Sequence, residues 1–330
     1  MPGTWLGFPF DEEIFLRAWQ EEPDPTRLEI IRSGVMVNDP LIAPQLQLDG
    51  NFFTIPHYEI IDGVPVNYDG NTDITDEEVT GGYQSGIAYG RAKGFTARNF
   101  QAELSGGDPF GHIVTTVGRY WARQRQTTLL KLLATIFDAD GATAAITTEW
   151  RKHTVDTGEV VGETTFNNAA ATALGDNKNI IGLAFMHSGV ATTLENKQLL
   201  EFWKQTDANG IQRRMNIATI NGYLAIIDDD MPFDGTQYTS YLLGAGFLRN
   251  ASGRLDVPVE TFRDPAKNGG QDTLYTRIRE TIHPNGFEYK IPTANWTNSP
   301  TDAQLFDPAQ WTLKFNPKAV PAVAVITNAE

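Results

Sequence analysis

Cysteine is absent from the 330 residues. That excludes a disulfide framework, a thiol nucleophile and any Cys-ligated zinc or iron–sulfur centre. Basic residues are scarce, with 26 Lys and Arg against 41 Asp and Glu and a formal net charge of −15. The sequence pI is about 4.8. A general nucleic-acid binder needs net positive charge to release counterions from phosphates, and this chain lacks it. Long hydrophobic runs are also missing. The longest lie near Leu129–Phe137 and Ala319–Ile326, far short of the ~20 residues that span a bilayer. The opening MPGTWLGFPFDEE has no basic n-region and no apolar h-region. No signal peptide and no membrane partner are therefore expected, and synthesis in a cytoplasm is. No internal repeat or low-complexity tract is found.

What is present suffices for a core. Hydrophobic residues make up 41% and aromatics 11%, which excludes global disorder. The length implies two domains or one large elaborated domain. Charge is segregated along the chain. Between Arg32 and Arg91 there is no Lys or Arg, while nine acids occur: Asp39, Asp49, Glu59, Asp62, Asp69, Asp73, Asp76, Glu77 and Glu78. The stretch from Arg91 to Lys131 reverses the sign, with Arg91, Lys93, Arg98, Arg119, Arg123, Arg125 and Lys131 against Glu103 and Asp108. Complementary surfaces on neighbouring copies account for this pattern, as does neutralisation within one chain.

The local signals read as α+β, without the alternation that marks a doubly wound parallel sheet. Residues Asn51–Ile61 are β-branched and aromatic, and Asp62-Gly63 predicts a hairpin turn with Val64–Tyr68 returning. Pro56 and Pro65 keep this ribbon out of a sheet centre. It should project and pack on something else. Asp108-Pro109 predicts a helix start, and apolar spacing from Phe110 to Phe137 carries it to a stop at Asp140-Gly141. That helix would run about 45 Å and carry Arg119, Arg123 and Arg125 on or near one face. Phe10–Glu22 reads as helix. Thr143–Glu163 reads as strand, best at Ala145–Trp150; Asn167–Leu174 as a short helix; and Asn179–Met186 as an apolar strand. Leu194–Gln205 reads as an amphipathic helix with Leu199, Leu200, Phe202 and Trp203 facing a core. Strands are expected at Ile217–Ile220 and Tyr223–Ile227 around the turn Asn221-Gly222, and at Tyr238–Phe247, Thr273–Ile282, Trp311–Phe315 and Ala319–Ile326.

No reaction is specified. The five histidines, His57, His112, His153, His187 and His283, include no pair at a zinc-ligand spacing on one helix. His187 follows a strand, but Met186-His187-Ser188-Gly189 is not a G-x-S-x-G elbow, and a structural role outweighs a catalytic one. Asp228-Asp229-Asp230 offers carboxylates to a divalent cation but lacks EF-hand spacing, so a solvated turn is the plainer reading. Gly81-Gly82, Gly106-Gly107 and Gly269-Gly270 form neither a Walker loop nor a dinucleotide fingerprint. No catalytic residue, cofactor or metal ligand is expected.

The order of parts resembles a known family. Ala184-Phe185-Met186-His187-Ser188-Gly189, followed through to Asp228-Asp229-Asp230-Met231-Pro232, and then Ile282-His283-Pro284-Asn285-Gly286-Phe287, are similar to strand ends and turns of major capsid (coat) proteins of tailed bacteriophages with the Hong Kong 97 fold. The resemblance covers most of Pro40–Ile326. It implies an N-terminal arm (1–45), an extended β-hairpin loop (46–90), a peripheral domain (91–180) with its spine helix at 108–138, an axial domain (181–260), and return strands shared by both domains (261–330). It implies a structural protein, not an enzyme, that self-assembles as pentamers and hexamers into an icosahedral virion capsid in the host bacterial cytoplasm. Further partners implied are a separate scaffolding protein, a portal complex, packaged double-stranded DNA held non-specifically, and a decoration protein. Inter-subunit contacts are expected at Phe52, Phe53, Tyr58, Glu59, Tyr68 and Asp69 of the loop. Others are expected at Arg119, Arg123 and Arg125 of the helix, and at Asp228, Asp229 and Asp230. The loop has no Lys from Ser33 to Gly90, so the Lys–Asn crosslink of some family members is not expected. The rival readings are an encapsulin-like nanocompartment, a carboxylate-based hydrolase and a carbohydrate-binding module.

Overall fold

The computed structural model describes residues 4–5, 8–9, 33–47, 50–137, 149–206, 212–292 and 298–330, apart from positions 60, 62, 72, 75, 77 and 106. The expected helix at Phe10–Glu22, the stop at Asp140-Gly141 and the first part of the Thr143–Glu163 strand lie outside the described residues.

The fold is mixed α/β. Seven strands form the main sheet in the spatial order Thr154–Val160, Ala322–Asn328, Gln237–Leu243, Leu183–Met186, Tyr223–Ile227, Gln212–Ile220 and Glu201–Thr206. Both parallel and antiparallel neighbours occur. Its central strands are apolar on both faces, because a layer covers each face. Leu183, Phe185, Tyr241, Leu243, Ala322 and Ala324 enter one core, with Trp150, Trp311 and the second half of the long helix. Ala184, Met186, Leu242, Val323 and Val325 enter the other, beneath the helices Thr165–Leu174 and Ser188–Asn196.

The second sheet is built on the 14-residue strand Gln271–Pro284. Tyr89–Arg98 pairs along one of its edges, while Val259–Asp264 and Leu248–Ser252 pair along it as well. Beside this sheet runs the long helix Pro109–Ile136, capped as expected by Asp108, whose carboxylate accepts from the Gly111 amide at 2.8 Å. All its buried side chains lie from Gln126 onward. Ahead of that buried stretch it is held to the sheet by Trp121 Nε1 donating to Thr276 Oγ1 at 3.0 Å and by Arg125 donating from Nε to Glu280 Oε2 at 2.7 Å.

Several expectations hold. Asn221 and Gly222 both take positive φ, 51° and 87°, in the turn joining Gln212–Ile220 to Tyr223–Ile227. The helix Thr165–Leu174 ends at Gly175 with φ 61°. Others are corrected. The expected helix Leu194–Gln205 does not form. Ser188–Asn196 is the helix, and Gln198 at φ 58° reverses the chain, with the Leu199 amide donating to Leu194 O at 2.9 Å. Glu201–Thr206 is then a strand paired with Gln212–Ile220. Trp150 lies in a short 3-10 turn, Trp150–His153, and the strand begins only at Thr154. Gly175–Ile180 is likewise 3-10, so the apolar strand starts at Leu183. The strand expected at Tyr238–Phe247 is Gln237–Leu243.

Candidate assembly interface

The acidic stretch builds a projecting limb. Its strand Phe52–Tyr58 pairs antiparallel with Gly81–Ile87, and the hairpin expected at Asp62-Gly63 is replaced by a much longer connection. The register supplies the reason. Phe53 lies opposite Gly86 and His57 opposite Gly82. A Cβ on Gly86 would run into the Phe53 ring and His283, and one on Gly82 would strike the His57 ring. Val64–Tyr68 offers no such room, and Pro65 has no N–H to donate.

The base of the limb is anchored. Phe53 and Ile55, on one face of the strand, are buried with Ile42, Leu46, Ala88 and Ala251. The Gln45 amide acts as an extra strand: it accepts from Thr54 N and donates to Thr54 O, both at 2.9 Å. Gln84, 1% exposed, donates to Asn285 Oδ1 at 3.1 Å and accepts from Gly286 N at 2.7 Å. Beyond Tyr58 the character changes. Tyr58 is 86% exposed, Val64 89% and Tyr68 91%. Ile61, Ile74 and Val79 are exposed too, interleaved with the exposed acids Glu59, Asp69, Asp73, Asp76 and Glu78.

The residues expected at contacts between copies therefore divide. Phe52, Tyr58, Glu59, Tyr68 and Asp69 are exposed on the limb, Arg119 and Arg123 on the helix, and Asp229 and Asp230 at a strand end. Phe53, Arg125 and Asp228 are committed within the chain. Phe53 fills the limb-base core. Arg125 pairs with Glu280, which is 4% exposed and also accepts from Tyr89 Oη at 3.2 Å. Burial, then the Glu280 charge, pushes the Tyr89 hydroxyl well above its ordinary range. Asp228 is 3% exposed and not in a solvated turn. Its carboxyl is raised, first by burial and then, among the charges, by Asp230 and Asp229, against hydrogen bonds that lower it.

Gln126, Glu280 and Tyr89 escaped sequence reasoning. A signal existed for Gln126: it stands on the helix stripe of Leu129, Leu130 and Leu133, where a polar side chain has to find a buried partner. Among the described residues no group of three or more His, Cys, Asp or Glu is arranged to hold a metal, and no helix is long and apolar enough to cross a membrane.

No family model matches the chain. Over 283 residues it is 29% identical to the major capsid protein of Bacillus phage SPP1, covering 83% of this chain and 82% of that protein. The chain resembles a tailed-phage major capsid protein. The fold agrees. It superposes on a chain of the cyanophage Pam1 capsid asymmetric unit with a TM-score of 0.58, at 11% identity, covering 94% of each chain. A structure from Mycobacterium phage Che8 gives a TM-score of 0.53 at 10% identity, covering 89% of each.

Proposed function

We infer that this protein is the structural major capsid protein of a tailed phage and has no catalytic role. The observation that carries this is the sequence likeness to a phage major capsid protein over most of both chains, on a fold shared with phage capsid subunits. Self-assembly into a shell follows, and the virion is where the protein resides.

The finer architecture belongs to the same proposal. Residues 1–45 are the arm, 46–90 the extended loop, 91–180 the peripheral domain and 181–260 the axial domain, with 261–330 returning through both. This is the Hong Kong 97 arrangement. The limb supports it: apolar side chains exposed on an acidic extension are costly in a lone subunit and useful in a contact. Tyr58, Tyr68, Glu59 and Asp69 of one copy then meet basic side chains such as Arg119 and Arg123 of the next. Heterologous contacts of this kind close into pentamers and hexamers. A scaffolding protein, a portal, a decoration protein, the packaged DNA and assembly in the bacterial cytoplasm complete the proposal.

The test is to co-express the chain with its genomic neighbours and examine it by light scattering and negative-stain microscopy. Closed particles tens of nanometres across, an order-of-magnitude expectation for many ~800 Å² contacts per partner repeated over a shell, support the reading. A stable monomer under those conditions refutes it.

A further inference from the structure

The edges of the sheets are treated unequally. The outer strand of the main sheet, Thr154–Val160, is broken by a register shift and by Gly158 at φ 61°. The limb strand Phe52–Tyr58 is met at Thr54 by the Gln45 amide. Such devices keep an edge from pairing with another chain. Val259–Asp264, the outer strand of the second sheet, has none of them. It pairs with Gln271–Pro284 without a register break, and Val257, Val259 and Phe262 are between 50% and 57% exposed. Its charges are neutralised from the neighbouring strand. Glu260 Oε2 accepts from Arg277 Nη2 at 3.1 Å, and Arg263 lies 3.5 Å from Asp272.

Which backbone groups are free follows from one hydrogen bond. Arg277 N donates to Pro258 O at 2.8 Å, one step beyond the Val259–Thr276 pair. Antiparallel partners alternate between bonded and non-bonded pairs, so Glu260 and Phe262 also turn their N–H and C=O toward that neighbour. Val259, Thr261 and Arg263 turn theirs outward, where they meet no backbone partner among the described residues. The strand is self-complementary in one register. A two-fold axis normal to the sheet keeps each side chain on its own face, so one residue has to lie opposite its own copy. Glu260 or Arg263 at that point would oppose like charges, and Phe262 there would set Glu260 against Asp264. Thr261 there opposes no like charges, sets Val259 against Arg263 of the second copy, and bonds the outward groups of these residues. We propose that Val259–Asp264 of two copies pair antiparallel about a two-fold axis at Thr261, joining their sheets. Such a contact uses the same patch on both copies, so it cannot build a larger ring. On the shell reading, on which only this placement rests, it links one pentamer or hexamer to the next.

The chain has no cysteine, so a single introduced thiol reports the contact. Thr261→Cys, oxidised in purified particles, should give a covalent dimer as the main band on a denaturing gel. Directly opposite Cα atoms in a bonded pair stand about 5.5 Å apart, within disulfide reach. Lys267→Cys, exposed at the tip of the same hairpin, should stay monomeric, because the proposed register already holds the two copies of Asp264 about 20 Å apart. Thr261→Pro removes only an outward N–H, a change that an edge strand accepts. Its subunits should keep the wild-type melting temperature, and its particles should fall to free rings. An equal dimer yield at Lys267→Cys, or normal particles from Thr261→Pro, would overturn the pairing. No dimer at Thr261→Cys would overturn it too, and broken Thr261→Pro particles beside that result would assign the edge to a different segment. If the wild-type chain makes no particles, the shell reading fails, and the two thiol variants decide the pairing in concentrated subunits.

Discussion

The main sheet and the outer limb use the same kinds of residue to opposite ends. In Leu183–Met186 four consecutive apolar side chains are buried, alternating between two cores. In the limb beyond Tyr58, Ile61, Val64, Tyr68 and Ile74 stand between 71% and 91% exposed. The sheet finds its covering layers within its own chain. The limb has no such layer among the described residues. A sequence can thus carry two stability problems, one solved by folding and one left for association.

Substitutions that sharpen this contrast rank by where they fall. The largest effect belongs to the body. Trp150 is 1% exposed, stacks on Phe137 and His153, and donates from Nε1 to Ile136 O at 2.9 Å. Trp150→Ala should cost about 3–5 kcal/mol in urea unfolding. A loss under ~1 kcal/mol would show that this core is not cooperative with the rest. Trp121→Ala comes next. Burial of its ring would set the loss at about 3–5 kcal/mol, but the ring is only partly buried and makes one hydrogen bond, to Thr276. The loss should be about 1–2 kcal/mol, read by the same titration.

Acid should weaken the body in a defined window. His283 is wholly buried, and burial, then the Arg249 charge, lowers it from 6.5 to about 3. Burial lowers His153 as well. The unfolded chain therefore takes up these protons first. The stability from neutral His283 is complete above pH 6.5 and is lost as pH falls toward 3. The slope approaches ~1.4 kcal/mol per pH unit for one such group. His283→Leu should flatten the stability profile between those limits, whatever its effect at neutral pH; an unchanged slope would assign acid sensitivity elsewhere. The smallest folding effect belongs to the limb. Tyr58→Ala and Tyr68→Ala should shift unfolding by no more than about 0.5 kcal/mol while lowering the yield of particles. A large folding loss would mean that these rings are covered within the subunit.

Much of the body was legible because its signals are local. Asp108-Pro109 caps a helix by chemistry confined to one turn, and Asn221-Gly222 forces a reversal wherever it occurs. The misreadings share one cause, which is that partners distant in sequence decide between local options. Glu201 to Trp203 suits a helix face or a strand, and pairing with Gln212–Ile220 makes it strand. Asp62-Gly63 is a fair turn, but Gly82 and Gly86 provide the space that Phe53 and His57 need. At the candidate interface, charge segregation was visible in the sequence. That Arg125 and Asp228 are spent inside the chain was not, because Glu280 lies 155 residues from Arg125 and Asp228 lies 102 from Gln126.

The same geometry redraws the decisive deletion. Removing the whole of Asn51–Tyr68 would take Phe53 and Ile55 out of the limb-base core. The cut belongs farther out. Glu59 N donates to Thr80 O at 3.0 Å, so the two strands are still adjacent there. A short Gly/Ser turn can therefore replace Ile61–Val79. The measurement is sedimentation of this variant beside the wild type under assembly conditions, with the melting temperature of each. The account predicts folded subunits with an unchanged melting temperature and no closed particles. Normal shells from the shortened chain would contradict it.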